Sequence, residues 1–171
     1  MTAESTIAAE AQLPEGGFTP WPQEQAEHYR RTGLWAGARL DRIAAAHLPQ
    51  RAERPALIDD AGSLSYAQLE ASVRTAGAAL QAAGVGNRDR VVLHLGNQNG
   101  FVVAALALMR IGAVPVYALP AHGERELIGI SEGSGAVGIL VSEQDEAARG
   151  RAEVAAQAVE AAGLKVLLLE E

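Results

Sequence analysis

The stretch Leu106–His122, LALMRIGAVPVYALPAH, joins a helix to a strand through one glycine, and its reading decides the fold. Phe101 to Met109 is continuously apolar, Arg110 interrupts it, and Gly112 stands where a helix ends on a left-handed residue, a conformation glycine adopts without a Cβ clash. Ala113 to Leu119 is a short apolar run carrying Val114, Val116 and Tyr117 and closed by Pro120, which predicts a strand buried on both faces of a parallel sheet. Pro115 is the irregular member, because proline cannot donate to a ladder and belongs at a strand's start, its edge or a bulge.

The same alternation continues outward. Asp89 to Leu95 reads as a strand with the loop Gly96-Asn97-Gln98-Asn99 at its carboxyl end, and Gly100 to Ile111 as the helix that crosses to Ala113–Leu119. A further helix over Glu124–Glu132 leads to a strand over Ala136–Val141. Ser142 is placed to cap an Ala-rich helix reaching Ala162, Gly163 stops it, and Leu164 to Leu169 is a last strand with no helix after it. Strand and helix in alternation predict an α/β fold, a mostly parallel sheet with helices on both faces.

A helical and hairpin segment precedes this sheet. Met1 to Gly17 reads as a flexible leader, Phe18 and Trp21 as anchors flanked by prolines, and Pro22 as the first turn of a helix to about Thr32 that Gly33 stops. Arg39 to about Gln50 carries Leu40, Ile43, Ala44, His47 and Leu48 on one stripe. Ala56–Asp59 and Ser63–Ser65 form a hairpin around Asp60-Ala61-Gly62. Ser65 and Gln68 spell a capping box for a helix over Tyr66–Ala83, ended by Gly84.

Composition narrows the function classes. At 171 residues the chain is long enough for one core, and 4% aromatics mean that Ala, Val, Leu and Ile must build it. A net charge of −7 argues against nucleic acid and anionic membrane as partners, since both are held by basic patches. No cysteine is present, which removes disulfides and thiolate chemistry and is compatible with a cytoplasmic home. The longest apolar run, Phe101 to Met109, falls well short of the roughly 20 residues of a membrane span.

Chemical motifs are few. Gly129-Ile130-Ser131-Glu132-Gly133 matches the G-x-S-x-G of a nucleophile elbow, but the serine follows a helix and precedes a strand, the reverse of what an elbow needs. His28, His47, His94 and His122 all lie before it, whereas hydrolases of that fold place the triad histidine after the serine. Gly84-Val85-Gly86 precedes a strand and lacks the spacing of a dinucleotide loop, and no G-x-x-x-x-G-K-[ST] occurs. The histidines form no metal-binding spacing. His47 is expected on a helix face and His94 inside a strand, both as satisfied core residues. Asn97 and His122 stand just past the carboxyl ends of parallel strands, where open α/β sheets bind ligands; structural loop roles are the favoured reading for both, with Glu124 and Glu126 near enough to His122 to tune it.

Several stretches together resemble one family. Gly17-Phe18-Thr19-Pro20-Trp21-Pro22, Glu27-His28-Tyr29-Arg30 and Gly33-Leu34-Trp35 look like the opening of the aryl-acid adenylating enzymes, the 2,3-dihydroxybenzoate-AMP and salicylate-AMP ligases of siderophore assembly. Leu64 to Leu69 is similar to the first core motif of adenylate-forming enzymes and Leu108 to Pro115 to the second, while Ala118-Leu119-Pro120-Ala121-His122 narrows the match to the aryl-acid branch. The resemblance implies an N-terminal subdomain over residues 18–171, incomplete relative to the family. It also implies ATP and Mg2+ as cofactors, and an aryl acid and an aryl carrier protein as partners, for a full-length enzyme. The phosphate loop with its lysine, the adenine- and magnesium-binding motifs and the catalytic lysine of the family are not in this sequence, so the resemblance transfers no catalytic, cofactor-binding or metal residue. The expected outcome is a chain inactive by itself, with a non-catalytic α/β module that pairs with a separately encoded remainder as the alternative. Gly96 stands where the family usually has Pro and Gly123 where a basic residue is common; both substitutions loosen loops bordering the aryl pocket.

Overall fold

The computed structural model describes residues 20–45, 48–159 and 164–169. The expected leader, Phe18, His47 and the stop at Gly163 lie outside them. Residues up to Ala38 form one unit and Arg39 onward another. In the first, α1 (Gln23–Arg31) follows Pro22 and ends at Thr32, before Gly33 at φ +78°. Trp21 packs edge-on against both Tyr29 and Trp35, and the Arg30 guanidinium lies over the Trp35 ring, so this segment organises its own aromatic cluster.

The second unit opens with α2 (Leu40–Ala45) and α3 (Leu48–Arg51) where the apolar stripe predicts one helix. Of the stripe, Leu40 does not face the core: it is 63% exposed, while its neighbour Asp41 is only 3%. The reason is electrostatic. Asp41 accepts from Arg39 at 2.9 Å and Arg110 at 3.4 Å, and Arg110 forms a two-pronged pair with Glu70. A carboxylate with two guanidinium partners can be buried where an unpaired one cannot. Burial pushes the Asp41 carboxyl up, but Arg39 and Arg110 together outweigh that and hold it below its ordinary value.

The antiparallel hairpin β1 (Pro55–Asp59) and β2 (Gly62–Ser65) follows, and Ser65 starts α4 (Tyr66–Ala82) through the predicted capping box with Gln68. Then come β3 (Arg90–Leu93), α5 (Asn99–Ile111), β4 (Val114–Tyr117), α6 (Glu124–Ser134), β5 (Gly138–Ser142), α7 (Glu146–Ala158) and β6 (Lys165–Leu169). The four later strands form one parallel sheet in the order β4-β3-β5-β6. Val91, Leu93, Leu140 and Leu167 face α4 and α5, while Val92, Ile139, Val141 and Val166 face α6 and α7. The alternation of inward side chains thus buries helices on both faces.

Two expectations are corrected. The strand after Gly112 is an edge strand, with Val114 46% and Tyr117 54% exposed; the doubly buried strands are β3 and β5. Val114 and Ala118 donate inward to Asp89 and Leu93, so the period of two turns the Pro115 nitrogen toward the open edge, where no donor is needed. And α7 is capped by Asp145, which accepts from Ala148 N–H at 2.8 Å, while Ser142 closes β5 and bonds Gln144. Aspartate caps as well as serine, and its position fits the observed first turn.

Gly112 ends α5 at φ +82°, and a Cβ there would collide with the Asn87 side chain. Gly112→Ala therefore adds a steric clash to a left-handed penalty of about 1–2 kcal/mol. Chemical denaturation should show a loss of at least that size; a neutral substitution would show that the turn is not tightly packed.

Candidate functional site

The carboxyl end of the parallel sheet gathers the polar residues that the strands project beyond the core. After β3 the chain passes His94, Leu95 and the loop Gly96–Gln98 into Asn99; after β4, Ala118 to Gly123; after Ser142 at the end of β5, Glu143 to Asp145. Asp59 fixes the first of these loops. One carboxylate oxygen accepts from Ala61 and Gly62 N–H, each at 3.0 Å, and the other accepts from Asn99 N–H at 2.7 Å, at the start of α5. Asn97 is exposed on this loop and has no side-chain partner among the described residues.

His122 closes its own turn. Its Nδ1 accepts from Leu119 N–H at 3.2 Å and its N–H donates back to the Leu119 carbonyl at 3.0 Å. An accepting Nδ1 places the proton of the neutral ring on Nε2, a donor at the half-buried rim of the sheet. Glu126, a candidate neighbour for His122 in the sequence, instead accepts the Gly123 N–H at 3.0 Å and starts α6. These bonds hold the Leu119–His122 turn closed.

His94 is 1% exposed and holds the least expected contact of the site. Arg151, on α7 and 57 residues away, lies with Nη2 3.2 Å from His94 Nε2. Arginine can only donate, so Nε2 accepts and a neutral ring carries its proton on Nδ1. Neither that Nδ1 nor Arg151 Nε finds a partner of good geometry, although the Leu119 backbone lies close enough to favour the charged ring in part. Burial and then the Arg151 charge hold the His94 pKa below its ordinary value, against a smaller opposing pull from Leu119 and Asp145. The sequence carries one signal for this pair, since His94 shares the inward phase of Val92, but nothing in it names the arginine.

Ser131 settles the elbow motif. It lies inside α6, is 1% exposed, and its hydroxyl has no partner. A nucleophile needs an activating base and an open approach, and this serine has neither among the described residues. No group of three or more His, Asp or Glu among the described residues is arranged to hold a metal ion. What the site offers is a set of loops held by their own hydrogen bonds at the carboxyl end of a parallel sheet.

A family model for AMP-binding enzymes matches residues 44–170. The chain belongs to that family. It is similar to the salicyl-AMP ligase / salicyl-S-ArCP synthetase of Mycobacterium tuberculosis, with 39% identity covering 75% of this chain and 24% of that protein. It is likewise similar to the 2,3-dihydroxybenzoate-AMP ligase of Bacillus subtilis, with 38% identity over 65% of this chain and 21% of the relative. The apo structure of Mycobacterium smegmatis MbtA superposes with a TM-score of 0.76 at 33% identity, covering 89% of this chain and 28% of that one. The chain thus spans about a quarter of the length of the relatives it matches, and the α/β architecture expected from its alternating elements is the one its structural neighbours have.

The His94–Arg151 pair makes a prediction with a definite sign. A histidine whose folded pKa is depressed is protonated first in the unfolded chain, so stability is full above the unfolded value of about 6.5 and declines as pH falls below it. His94→Gln keeps an acceptor for Arg151 but cannot titrate. Denaturation followed from about pH 7 to 5 should lose part of its slope in this variant, while His94→Leu, which strands the arginine donors, should cost about 1–3 kcal/mol at neutral pH. An unchanged slope in His94→Gln would remove His94 as the titrating group.

Proposed function

We propose that this chain supplies the first part of an aryl-acid–AMP ligase, an ATP- and Mg2+-dependent enzyme that activates salicylate or 2,3-dihydroxybenzoate and loads it on a carrier protein for siderophore synthesis. The observation that carries this reading is the match over residues 44–170 together with Leu119–His122, the branch-specific loop, folded as a closed turn at the carboxyl end of β4. The two ligases named above support the substrate class, and the carrier in the name of the mycobacterial relative supports the partner.

In this reading residues 1–17 are a leader, residues 18–171 an incomplete N-terminal subdomain, and the compartment the cytoplasm. None of the described helices is long and apolar enough to cross a membrane. The chain's own residues contribute scaffold. His122, Asp59 and the Arg151–His94 pair hold the loops at the sheet's carboxyl end, and the phosphate-handling motifs are supplied by another polypeptide segment. We assign no catalytic residue to this chain.

Purified chain should give no aryl-acid-dependent pyrophosphate exchange with ATP and either acid. Turnover above background would contradict the division of labour proposed here, because no residue in the chain matches the family's phosphate loop or catalytic lysine.

A further inference from the structure

Helix α7 is fastened to the sheet by small side chains and, among the described residues, by one side-chain hydrogen bond. Its buried residues are Ala148, Ala152 and Ala155, each of which removes less apolar surface from water than Leu69 and Leu80 of α4 or Leu108 of α5. A helix anchored in this way belongs to the low-stability end of a fold. The hydrogen bond is the one from Arg151 to His94. Arg151 Nη2 lies 3.2 Å from His94 Nε2, which is the guanidinium's only acceptor among the described residues. Arg151 Nε is buried without a partner, so the guanidinium is partly desolvated and satisfied at a single point.

That point depends on one proton. Neutral His94 accepts at Nε2, whereas a protonated ring carries N–H on both nitrogens and accepts at neither. Protonation therefore removes the acceptor of Arg151 and sets two cations 3.2 Å apart, at a ring that is 1% exposed. The surroundings give the new charge little relief. Arg151 and His122 repel it, Asp145 and the Leu119 backbone attract it, and burial together with the Arg151 charge outweighs both attractions. Asp145 already accepts Ala148 N–H at 2.8 Å as the cap of α7, and Glu126 accepts Gly123 N–H at 3.0 Å. Paired strand β5 has no titratable side chain, and the buried residues of α6, Leu127 and Ser131, do not ionise.

We propose that the His94–Arg151 contact is an acid-sensitive latch, which docks the amino-terminal half of α7 on the sheet while His94 is neutral and releases it when His94 takes up a proton. Of the two partners α7 is the one that moves. His94 N–H is fixed to the Leu140 carbonyl at 3.0 Å, whereas Arg151 is half-buried and its long side chain reaches water by a short displacement. The released turns adjoin Glu143 to Asp145, so the loop past β5 loosens with them. In the open state His94 regains its ordinary value of about 6.5, while docking holds it lower. The latch is therefore closed above that pH, and below it the open fraction rises by up to about tenfold per pH unit until the docked value is reached.

Hydrogen exchange on the full chain, corrected for the intrinsic pH dependence of amide exchange, tests the latch. Between about pH 7.5 and 5 the amides of residues 150–155 should lose protection by several-fold to about thirtyfold, in step with titration of the His94 ring followed by NMR. At every pH they should exchange faster than the amides of residues 104–108 in α5, which marks opening of α7 rather than of the whole unit. His94→Gln keeps an acceptor for Arg151 but has no proton to take up, and the acid loss should vanish in it; His122→Gln should retain the loss. Unchanged protection of α7 in acid would show that the arginine swings out alone. Equal rates in α7 and α5 would show global unfolding, and a loss that persists in His94→Gln or disappears in His122→Gln would place the trigger elsewhere. Each of these overturns the latch, and the first two are read on the unmodified chain, so a variant that fails to fold leaves the test standing.

Discussion

The backbone of Gly112 sets the register of β4 on β3. Its left-handed conformation stops α5 and turns the chain directly into β4, and its carbonyl accepts from Arg88 N–H at 2.7 Å, while Val114 N–H reaches Asp89 at 2.8 Å. These two bonds align β4 with the start of β3, giving the pairs Arg90 with Val114 and Leu93 with Tyr117. A slip of one residue would send Val116 and Ala118 away from the α6 and α7 core. The helix stop and the sheet register are therefore one constraint, met by a residue without a Cβ.

What the sequence made legible is local. Glycine stops, the Ser65–Gln68 box and the switch of apolar period from helix to strand depend on neighbours within a few residues, and they place nearly every element within a residue or two of its observed bounds. What it hid depends on partners far along the chain. Val114 to Tyr117 reads as an interior strand because its composition is apolar, yet only the order of strands decides that it lies at an edge. Leu40 reads as core, yet its neighbour Asp41 takes the buried place because Arg110, 69 residues on, and Arg39 pair with it. His94 reads as buried from its place just past β3, and burial is the first cause of its lowered pKa, but the second, the charge of Arg151 on α7, comes from a residue that no spacing rule connects to it.

The same division runs through the candidate site. Its position past the carboxyl ends of parallel strands follows from the βαβ pattern alone, and the Leu119–His122 turn is where the family resemblance is most specific. The hydrogen-bond roles needed coordinates. His122 Nδ1 accepts from a backbone amide and His94 Nε2 from a guanidinium, and each role is fixed by a donor that cannot reverse direction. The site is thus built from residues that hold one another in place, which is what a scaffold for groups contributed by another segment requires.

Asp59 carries a consequence for how the unit comes apart. Its two carboxylate oxygens join the β1–β2 turn to the first amide of α5, 40 residues away. A short hairpin standing alone would fray on its own, at a small free-energy cost and without disturbing the sheet. Tied to α5, it cannot open unless the helix beginning beside the Gly96–Asn99 loop loses its anchor too. The β1–β2 turn and the first turn of α5 thus share one carboxylate, so that loss of Asp59 would release the amides of Ala61, Gly62 and Asn99 together.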